Sequence, residues 1–495
     1  MKNYALTAIV AITAIVFFVS CSPKKVAESG YMPFPTGFGY MEELKKLQAA
    51  TDNGNKAVIR DHAWKLWAGI MQPDDKTGWP LWFSWKNTTA AFSASTSDPT
   101  LKPAAPFVAK TLRAHNTKNT PGVDTKSPIY CVPNKVQILY PKAITLDAHK
   151  QPTIGDGKNF QNNGDIMIAT ESLSREAYNS IRDQKLYLQS TLDKKYQDKK
   201  DVNVAQGSIV TKHMYWPVKA TGLTALPVWK NQIKPSNPNY AGYEIWNSLV
   251  AIDPSGEKIG QRAEVEFLYG VRNHQQDWYC PSGSIDPVGA PTMMPSVTMN
   301  APIYGLNDFY FHKVTKADWE TFNDSDKAII TASSYWANNQ PFNVGDYLVT
   351  VAMHVNTKEL PSWTLQSVWW ADDEELNIAE NPYAKNRPVL PNAQGPWQHY
   401  LLTDSYAVPP NDKGEMDIAV NPYIEGVTHP IATSCRNCHV RAGWPTALGH
   451  PAGTASYQNP DCPLLLAYLT PETPCLKTLS RSDYLWIIPD RALDH

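Results

Sequence analysis

Three residues near the C-terminus have the types and spacing for one well-defined chemistry. Cys435, Cys438 and His439 form the pattern Cys-x-x-Cys-His, which attaches a c-type haem to a protein. The two thiols add across the vinyl groups of the haem, and the adjacent imidazole becomes the proximal ligand of the iron. The motif therefore predicts one covalent haem c, bound by these three residues.

Zinc is the alternative ligand for the same three side chains. A structural zinc site usually combines two closely spaced ligand pairs. Cys462 and Cys475 are too far apart in the sequence to form a second pair of that kind. Cys438 and His439 are adjacent, and neighbours of this kind do not commonly bind one zinc ion together. The pattern therefore favours haem over zinc.

The N-terminus predicts export, which a c-type haem requires in bacteria. Met1-Lys2-Asn3 precedes an apolar run over residues 4–19, and Cys21 follows it. This order is typical of a lipoprotein signal peptide over 1–20, although Phe18 departs from the usual leucine. We expect lipidation of Cys21 and an extracytoplasmic protein anchored to a bacterial membrane, on the periplasmic face or at the cell surface. An uncleaved anchor helix is the alternative, but the run is short for a membrane span.

Four further cysteines are left after Cys21 and the haem motif are set aside. An exported protein can form disulfides, and four is an even number. Cys462 and Cys475 enclose a short proline-rich loop and are the first predicted pair. Cys131 and Cys280 form the second predicted pair, although sequence alone does not fix the connectivity.

The composition limits the class of partner and of fold. The 45 Lys and Arg nearly balance the 47 Asp and Glu, and the sequence shows no long basic stripe. Nothing in the charge pattern therefore indicates a nucleic-acid partner. The chain has 40 prolines, which favours short strands and irregular connections over long helices. Its 17 tryptophans and 24 tyrosines either fill a large core or line a ligand surface.

The pattern along the chain predicts an α+β, β-rich fold. We expect an antiparallel β-sheet body with N-terminal helices and a short helical c-type haem segment near the C-terminus. Alternating β-branched residues predict a hairpin of strands over 347–355 and 363–370. A short helix is predicted over 482–487. We expect a signal peptide over 1–20, a tether over 21–38, a helical loop-rich region over 39–205, a β-rich domain over 206–380 and a haem-attachment region over 381–495.

The sixth position of the haem iron has no obvious ligand downstream of the motif. No methionine follows His439, so we do not expect the ordinary domain of a small class I cytochrome at the C-terminus. His354, on the strand over 347–355, is the first candidate, and His62, on the apolar face of a helix, is the second. Either histidine can instead be a core residue. The remaining options are an open position or one of His399, His450, His495, Met353 and Met416.

Two lysines on or beside predicted strands are candidates for binding the haem propionates. Lys212 and Lys358 would supply the positive charge for these carboxylates. The alternative for each is a solvated lysine without a function.

Several segments together resemble a family of large exported bacterial proteins with a single c-type haem site, the cytochrome c family proteins. The segments are 62–67, 207–217, 351–358 with Trp363, 434–444 and 483–486. The chain departs from this family at His213, where a small residue is expected. The resemblance implies a haem segment embedded near the end of a long β-containing body, and it implies export. It implies no particular reaction.

Electron transfer by a lipid-anchored cytochrome is the first functional hypothesis, with a redox protein as the partner. A peroxidase- or oxidase-like haem enzyme with an open or displaceable sixth position is the alternative. In that case His354 or His62 acts as a distal acid or base on a small substrate. A third hypothesis gives the β domain a carbohydrate or a protein partner, with the haem as a sensor or relay.

Overall fold

A computed structural model describes residues 32–75, 78–93, 132–146, 152–154, 168–230, 248–268, 278–279, 296–377, 381–424, 434–445 and 467–493. In these ranges the protein has an α+β fold with mostly antiparallel sheets. Its α-helices are α1 Leu44–Asp52, α2 Lys56–Ile70, α3 Thr88–Ala91, α4 Asn134–Leu139, α5 Arg175–Asp183, α6 Gln189–Gln197, α7 Lys316–Thr321, α8 Asp324–Asn338, α9 Asp373–Leu376, α10 Cys435–His439 and α11 Ile487–Arg491.

The strands are short apart from β6, β11 and β13. They are β1 Lys86–Asn87, β2 Val132–Pro133, β3 Ile144–Leu146, β4 Pro152–Ile154, β5 Ile168–Leu173, β6 Ile209–Val218, β7 Thr224–Pro227, β8 Leu249–Asp253, β9 Arg262–Leu268, β10 Trp278–Tyr279, β11 Ser296–Gly305, β12 Phe311–Lys313, β13 Tyr347–Thr357, β14 Thr364–Trp370, β15 Tyr400–Asp404, β16 Gly443–Trp444 and β17 Ser480–Arg481.

A seven-stranded sheet forms the centre of the described structure. Its order is β1-β5-β6-β13-β14-β15, and β12 pairs with one end of β13. Every pairing in it is antiparallel. The predicted hairpin is confirmed, because β13 and β14 pair from Ala352–Trp369 to Thr357–Thr364. Strand β5 comes from the predicted region 39–205, and β15 comes from the predicted region 381–495. These two regions and 206–380 therefore contribute to one core.

A smaller four-stranded sheet packs beside the central one. Its order is β7-β8-β11-β9, and β11 pairs with β8 in parallel and with β9 antiparallel. Helix α8 lies between the two sheets, and Trp336 on this helix contacts Trp216 on β6 and Phe267 on β9. These aromatic contacts bury large apolar areas and join the two sheets.

Tryptophan is mainly a core residue in this fold. Eight tryptophan side chains are less than 2% exposed, namely Trp64, Trp67, Trp216, Trp336, Trp363, Trp369, Trp370 and Trp397. The core interpretation of the aromatic content therefore accounts for much of it. No helix in the described ranges is long and apolar enough to cross a membrane.

The predicted N-terminal helices are present as α1 and α2, and α2 is anchored to the central sheet by a buried ion pair. Arg60 Nη1 lies 2.8 Å from Asp404 Oδ2 at the end of β15. The guanidinium also donates to the carbonyls of Tyr383 and Leu402 at 3.0 and 3.1 Å. These bonds satisfy a charge that would be costly to bury alone.

The predicted helix over 482–487 is wrong, and the helix there begins five residues later. Asp483 and Tyr484 have φ values of 54° and 65°, in the left-handed region. Two consecutive residues in this conformation cannot continue a right-handed helix. The chain therefore turns at Asp483–Tyr484, and α11 spans Ile487–Arg491.

Candidate functional site

The helix α10 presents the three motif side chains on one face. At 3.6 residues per turn, positions 435, 438 and 439 fall within an arc of about 100°. Cys435, Cys438 and His439 are partly exposed, whereas Arg436 and Asn437 between them are 2% and 0% exposed. The motif residues therefore face outward together, and the intervening residues fix the opposite face in the protein.

The N-terminal end of α10 is joined to the edge of the central sheet. Cys435 N donates to the carbonyl of Ala419 at 2.9 Å. Ser405, just after β15, binds Ser434 Oγ at 2.8 Å and accepts from Arg436 N at 3.1 Å. Because Ser405 N also donates to Leu365 O at 2.7 Å, the sheet directly sets the position of the motif.

The inward face of α10 is held by polar bonds to the segment 467–469. Arg436 Nη1 donates to Leu469 O at 2.8 Å, and its guanidinium stacks over the ring of Tyr468 at 4.6 Å. Asn437 donates to the carbonyl of Ala467. Arg436 thus points away from the motif face, so it positions the helix and does not line the exposed side.

His439 is oriented by a backbone carbonyl. Its Nδ1 lies 2.7 Å from the carbonyl oxygen of Tyr484. A carbonyl can only accept, so Nδ1 carries the proton and Nε2 is the nitrogen suited to a metal. Histidines that bind metals almost always donate their other ring N–H in this way.

An apolar surface adjoins the motif. Cys435, Trp444, Tyr484 and Ile487 are partly buried and pack on a cluster that we call the C-terminal cluster. This cluster consists of Ala91, Phe92, Leu173, Ala177, Tyr178, Ile181, Leu186, Tyr187, Leu192, Val202, Val204, Val210, Trp363, Leu365, Leu485 and Ile488. An apolar shell of this kind suits a haem macrocycle and controls its dielectric surroundings.

His354 lies on the sheet face on which the C-terminal cluster packs. The registers align Lys212 on β6, His354 on β13 and Ser367 on β14 in one row, and directly opposite residues share a face. The next row contains Val210 and Leu365, which belong to the cluster that Cys435 contacts. Two residues along a strand separate the rows, so they are about 7 Å apart.

His62 lies elsewhere and bonds through both ring nitrogens. Its Nδ1 is 2.7 Å from Tyr406 Oη, and its Nε2 is 3.2 Å from Glu359 Oε1. The histidine is 7% exposed, and burial with the carboxylates of Glu359 and Asp404 raises the pKa of Tyr406 well above its ordinary value. In this arrangement His62 is a member of a buried polar network.

The two candidate lysines have different surroundings. Lys358 forms an ion pair with Asp483. Asp483 precedes Tyr484, whose carbonyl contacts His439. It also lies 5.8 Å from the ring of Trp363. Lys212 is half-buried on β6, where it pairs with His354 on β13 and with Glu171 on β5. We call the row of Glu171, Lys212 and His354 the polar row.

The other candidate ligands are dispersed. Met353 is buried on the opposite sheet face from His354, and Met416 Sδ lies 3.8 Å from Arg436 Nη1, on the inward face of α10. His399 Nε2 is 3.9 Å from Asp308 Oδ1. His450 and His495 lie outside the described residues. His213, at the position that departs from the family pattern, is fully buried against Trp82, and burial lowers its pKa well below the ordinary value.

The predicted cysteine pairs fall largely outside the described ranges. Cys475 is disulfide-bonded and buried. Cys462, its predicted partner, and Cys21, Cys131 and Cys280 are not among the described residues. Cys435 and Cys438 are thiols.

Sequence reasoning missed the carbonyl of Tyr484, which contacts His439, and the unusual backbone conformation around it. Asp483 and Tyr484, with Trp363 at φ 60°, adopt the left-handed conformation that non-glycine residues rarely take. Only Asp483 carries a weak sequence signal for this, because a short polar side chain tolerates the conformation better than an aromatic one does. Strained residues of this type often cluster at functional sites.

No three His, Cys, Asp or Glu side chains in the described ranges converge to form a metal site by themselves. Comparison of the chain with models of known protein families, with curated proteins and with solved structures found no match.

Proposed function

We propose that this protein is a c-type cytochrome that carries one covalent haem and transfers electrons. The observation that carries the proposal is the geometry of α10. Cys435, Cys438 and His439 share one partly exposed face, and the Nδ1 of His439 is bound by a backbone carbonyl. This is the arrangement that two thioether bonds and an Nε2–iron bond require.

The residues around the motif fit the group in chemical type. Cys435 and Cys438 would hold the haem covalently, and the nearby apolar side chains of Trp444, Tyr484 and Ile487 would give it apolar surroundings. A bound haem would supply a reversible one-electron couple. The rigid attachment of α10 to the sheet would keep the geometry of the site unchanged between oxidation states, which lowers the reorganisation that each transfer requires.

Lipid anchoring through Cys21 belongs to the same proposal, because haem is attached outside the cytoplasm. The protein would exchange electrons with a redox protein near the membrane. Absorption of the haem on denaturing gels, after expression in a host with a c-type maturation system, tests the attachment. A wild-type protein without covalent haem under these conditions would refute the function.

His354 is our candidate for the sixth iron ligand. It shares a sheet face with Val210 and Leu365, two members of the C-terminal cluster against which Cys435 packs. His62 is the second candidate, and Tyr406 and Glu359 contact its two ring nitrogens.

The His354→Ala variant is expected to convert a low-spin ferric haem into a high-spin one. The physical reason is the loss of a strong-field nitrogen ligand, which leaves the sixth position to water or empty. Optical and EPR spectra of the ferric protein measure the change. His312→Ala is the matched control, because His312 is not a candidate ligand and contacts Asp318 at 3.1 Å, so its loss should leave the spectrum unchanged. An unchanged spectrum in His354→Ala would show that His354 is not the ligand.

A haem enzyme is the second candidate, and one observation favours it. The polar row on the sheet face brings Glu171, Lys212 and His354 side by side. Such a row offers a base, a cation and an acid for a small anionic substrate. High-spin ferric iron in the wild-type protein that binds cyanide or peroxide would favour this function over simple electron transfer.

A further inference from the structure

Asp483 occupies a position that links the central sheet to His439. Its carboxylate accepts from Val204 N at 2.7 Å and from Trp363 Nε1 at 3.1 Å. It also forms an ion pair with Lys358, which immediately follows β13. The side chain of Asp483 is 8% exposed, so this charge is nearly buried and well satisfied.

The next residue provides the carbonyl that His439 uses. Tyr484 O lies 2.7 Å from His439 Nδ1, and both Asp483 and Tyr484 are held in the left-handed conformation. Trp363, one of the three donors to Asp483, is in the same conformation at φ 60°. A strained turn persists only when its surroundings enforce it, and the three donors to Asp483 supply that restraint.

We infer that Asp483 is a positioning residue that fixes the Tyr484 carbonyl against His439 and thereby tunes the iron ligand. This inference rests on the proposed haem function. A firm Nδ1–H···O bond increases the basicity of Nε2 and so favours ferric over ferrous iron. A looser turn weakens that bond, and the reduction potential of the haem rises.

Two substitutions separate the restraint from the fold. Asp483→Asn keeps an acceptor for either Trp363 Nε1 or Val204 N, because these groups donate to different oxygens of Asp483. Asparagine tolerates a left-handed φ, but the substitution removes the charge that Lys358 binds. Asp483→Gly removes all three contacts and places there a residue that adopts left- and right-handed φ about equally, so the side chain no longer restrains the turn. Asp201→Asn is the control. It removes the carboxylate that pairs with Arg481, and Arg481 lies two residues before Asp483 in the chain.

The first readout is the midpoint potential of the haem. We expect Asp483→Gly to lower the preference for ferric iron by up to about tenfold, a positive shift of ~59 mV for a one-electron couple. Asp483→Asn should give a smaller shift of the same sign. Asp201→Asn should leave the potential unchanged. Potentials in both Asp483 variants equal to that of the control would overturn the inference.

The second readout does not need haem and keeps the two proposals distinguishable. Selective ¹⁵N labelling of histidine reports the tautomer of His439 and the exchange rate of its Nδ1 proton. We expect a protected Nδ1–H tautomer in the wild type and faster exchange in Asp483→Gly. A wild type without covalent haem would refute the proposed function alone. Equal exchange in the wild type and in Asp483→Gly would refute the positioning role whether or not haem is present.

Discussion

Replacing Cys435 and Cys438 together by serine is expected to remove almost all covalent haem from the protein. Each thioether bond needs a sulfur atom, and serine offers none to the vinyl groups. The single variants should retain part of the haem through the remaining bond. The measurement is haem absorbance per protein after denaturation, which counts only covalently bound haem.

The same double variant should fold normally, and this makes the prediction specific. Cys435 and Cys438 are both partly exposed, and Cys435 Sγ contacts the carbonyl of Ala419 at 3.0 Å. A serine hydroxyl can make the same hydrogen bond, so the free energy of unfolding should change by no more than ~1 kcal/mol. Haem that stays covalently bound in the folded double variant would contradict the assignment of these cysteines.

The features that the sequence revealed are those encoded by neighbouring residues. The hairpin of β13 and β14 follows from alternating β-branched residues on both sides of a short turn. The Cys-x-x-Cys-His motif is likewise local, because covalent attachment needs a fixed spacing within one helical turn. The structure adds the arc of exposure on α10, which distinguishes the motif face from the buried Arg436 and Asn437.

The contacts that orient His439 have no such local signature. Tyr484 acts through its backbone carbonyl, 45 residues from His439 in the chain. Any residue type provides a carbonyl, so no pattern of side chains points to it. The left-handed conformation of Trp363 is equally hidden, because it results from tertiary contacts and opposes the preference of the residue.

His62 illustrates the same limit for a histidine with two interpretations. Its place on the apolar face of α2 indicated either a core residue or an iron ligand. Its partners Glu359 and Tyr406 are 297 and 344 residues away in the sequence. Only the folded chain brings them together, so helix periodicity could not have decided between the two interpretations.

The network around His62 has a defined direction of hydrogen bonding. The amide nitrogen of Gln366 donates to the carbonyl of Val355, which turns Gln366 Oε1 toward Tyr406. Tyr406 Oη therefore donates to Gln366 at 3.0 Å and accepts from His62 Nδ1. His62 Nε2 then faces Glu359, whose carboxylate is the acceptor at the end of the chain.

Glu359 is consequently the residue of this network whose loss should destabilise the fold most. Its side chain is fully buried, and it also accepts from Met41 N at 2.7 Å and from Thr357 Oγ1 at 2.5 Å. Glu359→Ala removes the acceptor that three groups share, namely the His62 imidazole, the Met41 N–H and the Thr357 hydroxyl. We expect a loss of about 3–5 kcal/mol in the free energy of unfolding, typical of a broken buried pair.

Glu359→Gln should cost less, because one of its mismatches can be relieved. Thr357 Oγ1 also lies 2.6 Å from Thr364 Oγ1, so it can donate there and accept from the new amide. The amide oxygen can accept from both Met41 N and His62 Nε2, because both contact the same oxygen, Oε1, of Glu359. The remaining mismatch is the lost negative charge, because hydrogen bonds to a charged group stabilise more than those to a neutral one. We expect a loss of about 1 kcal/mol.

Urea unfolding of the two variants tests this order, with Glu320→Ala as the matched control. Glu320 is 66% exposed on α7, so its loss should change stability by no more than ~0.5 kcal/mol. A Glu359→Ala protein as stable as this control would show that the network does not support the fold. Covalent haem per folded molecule should be the same in all three variants, because none of them alters Cys435, Cys438 or His439. Loss of haem in a folded Glu359→Ala protein would instead give the network a direct role at the haem.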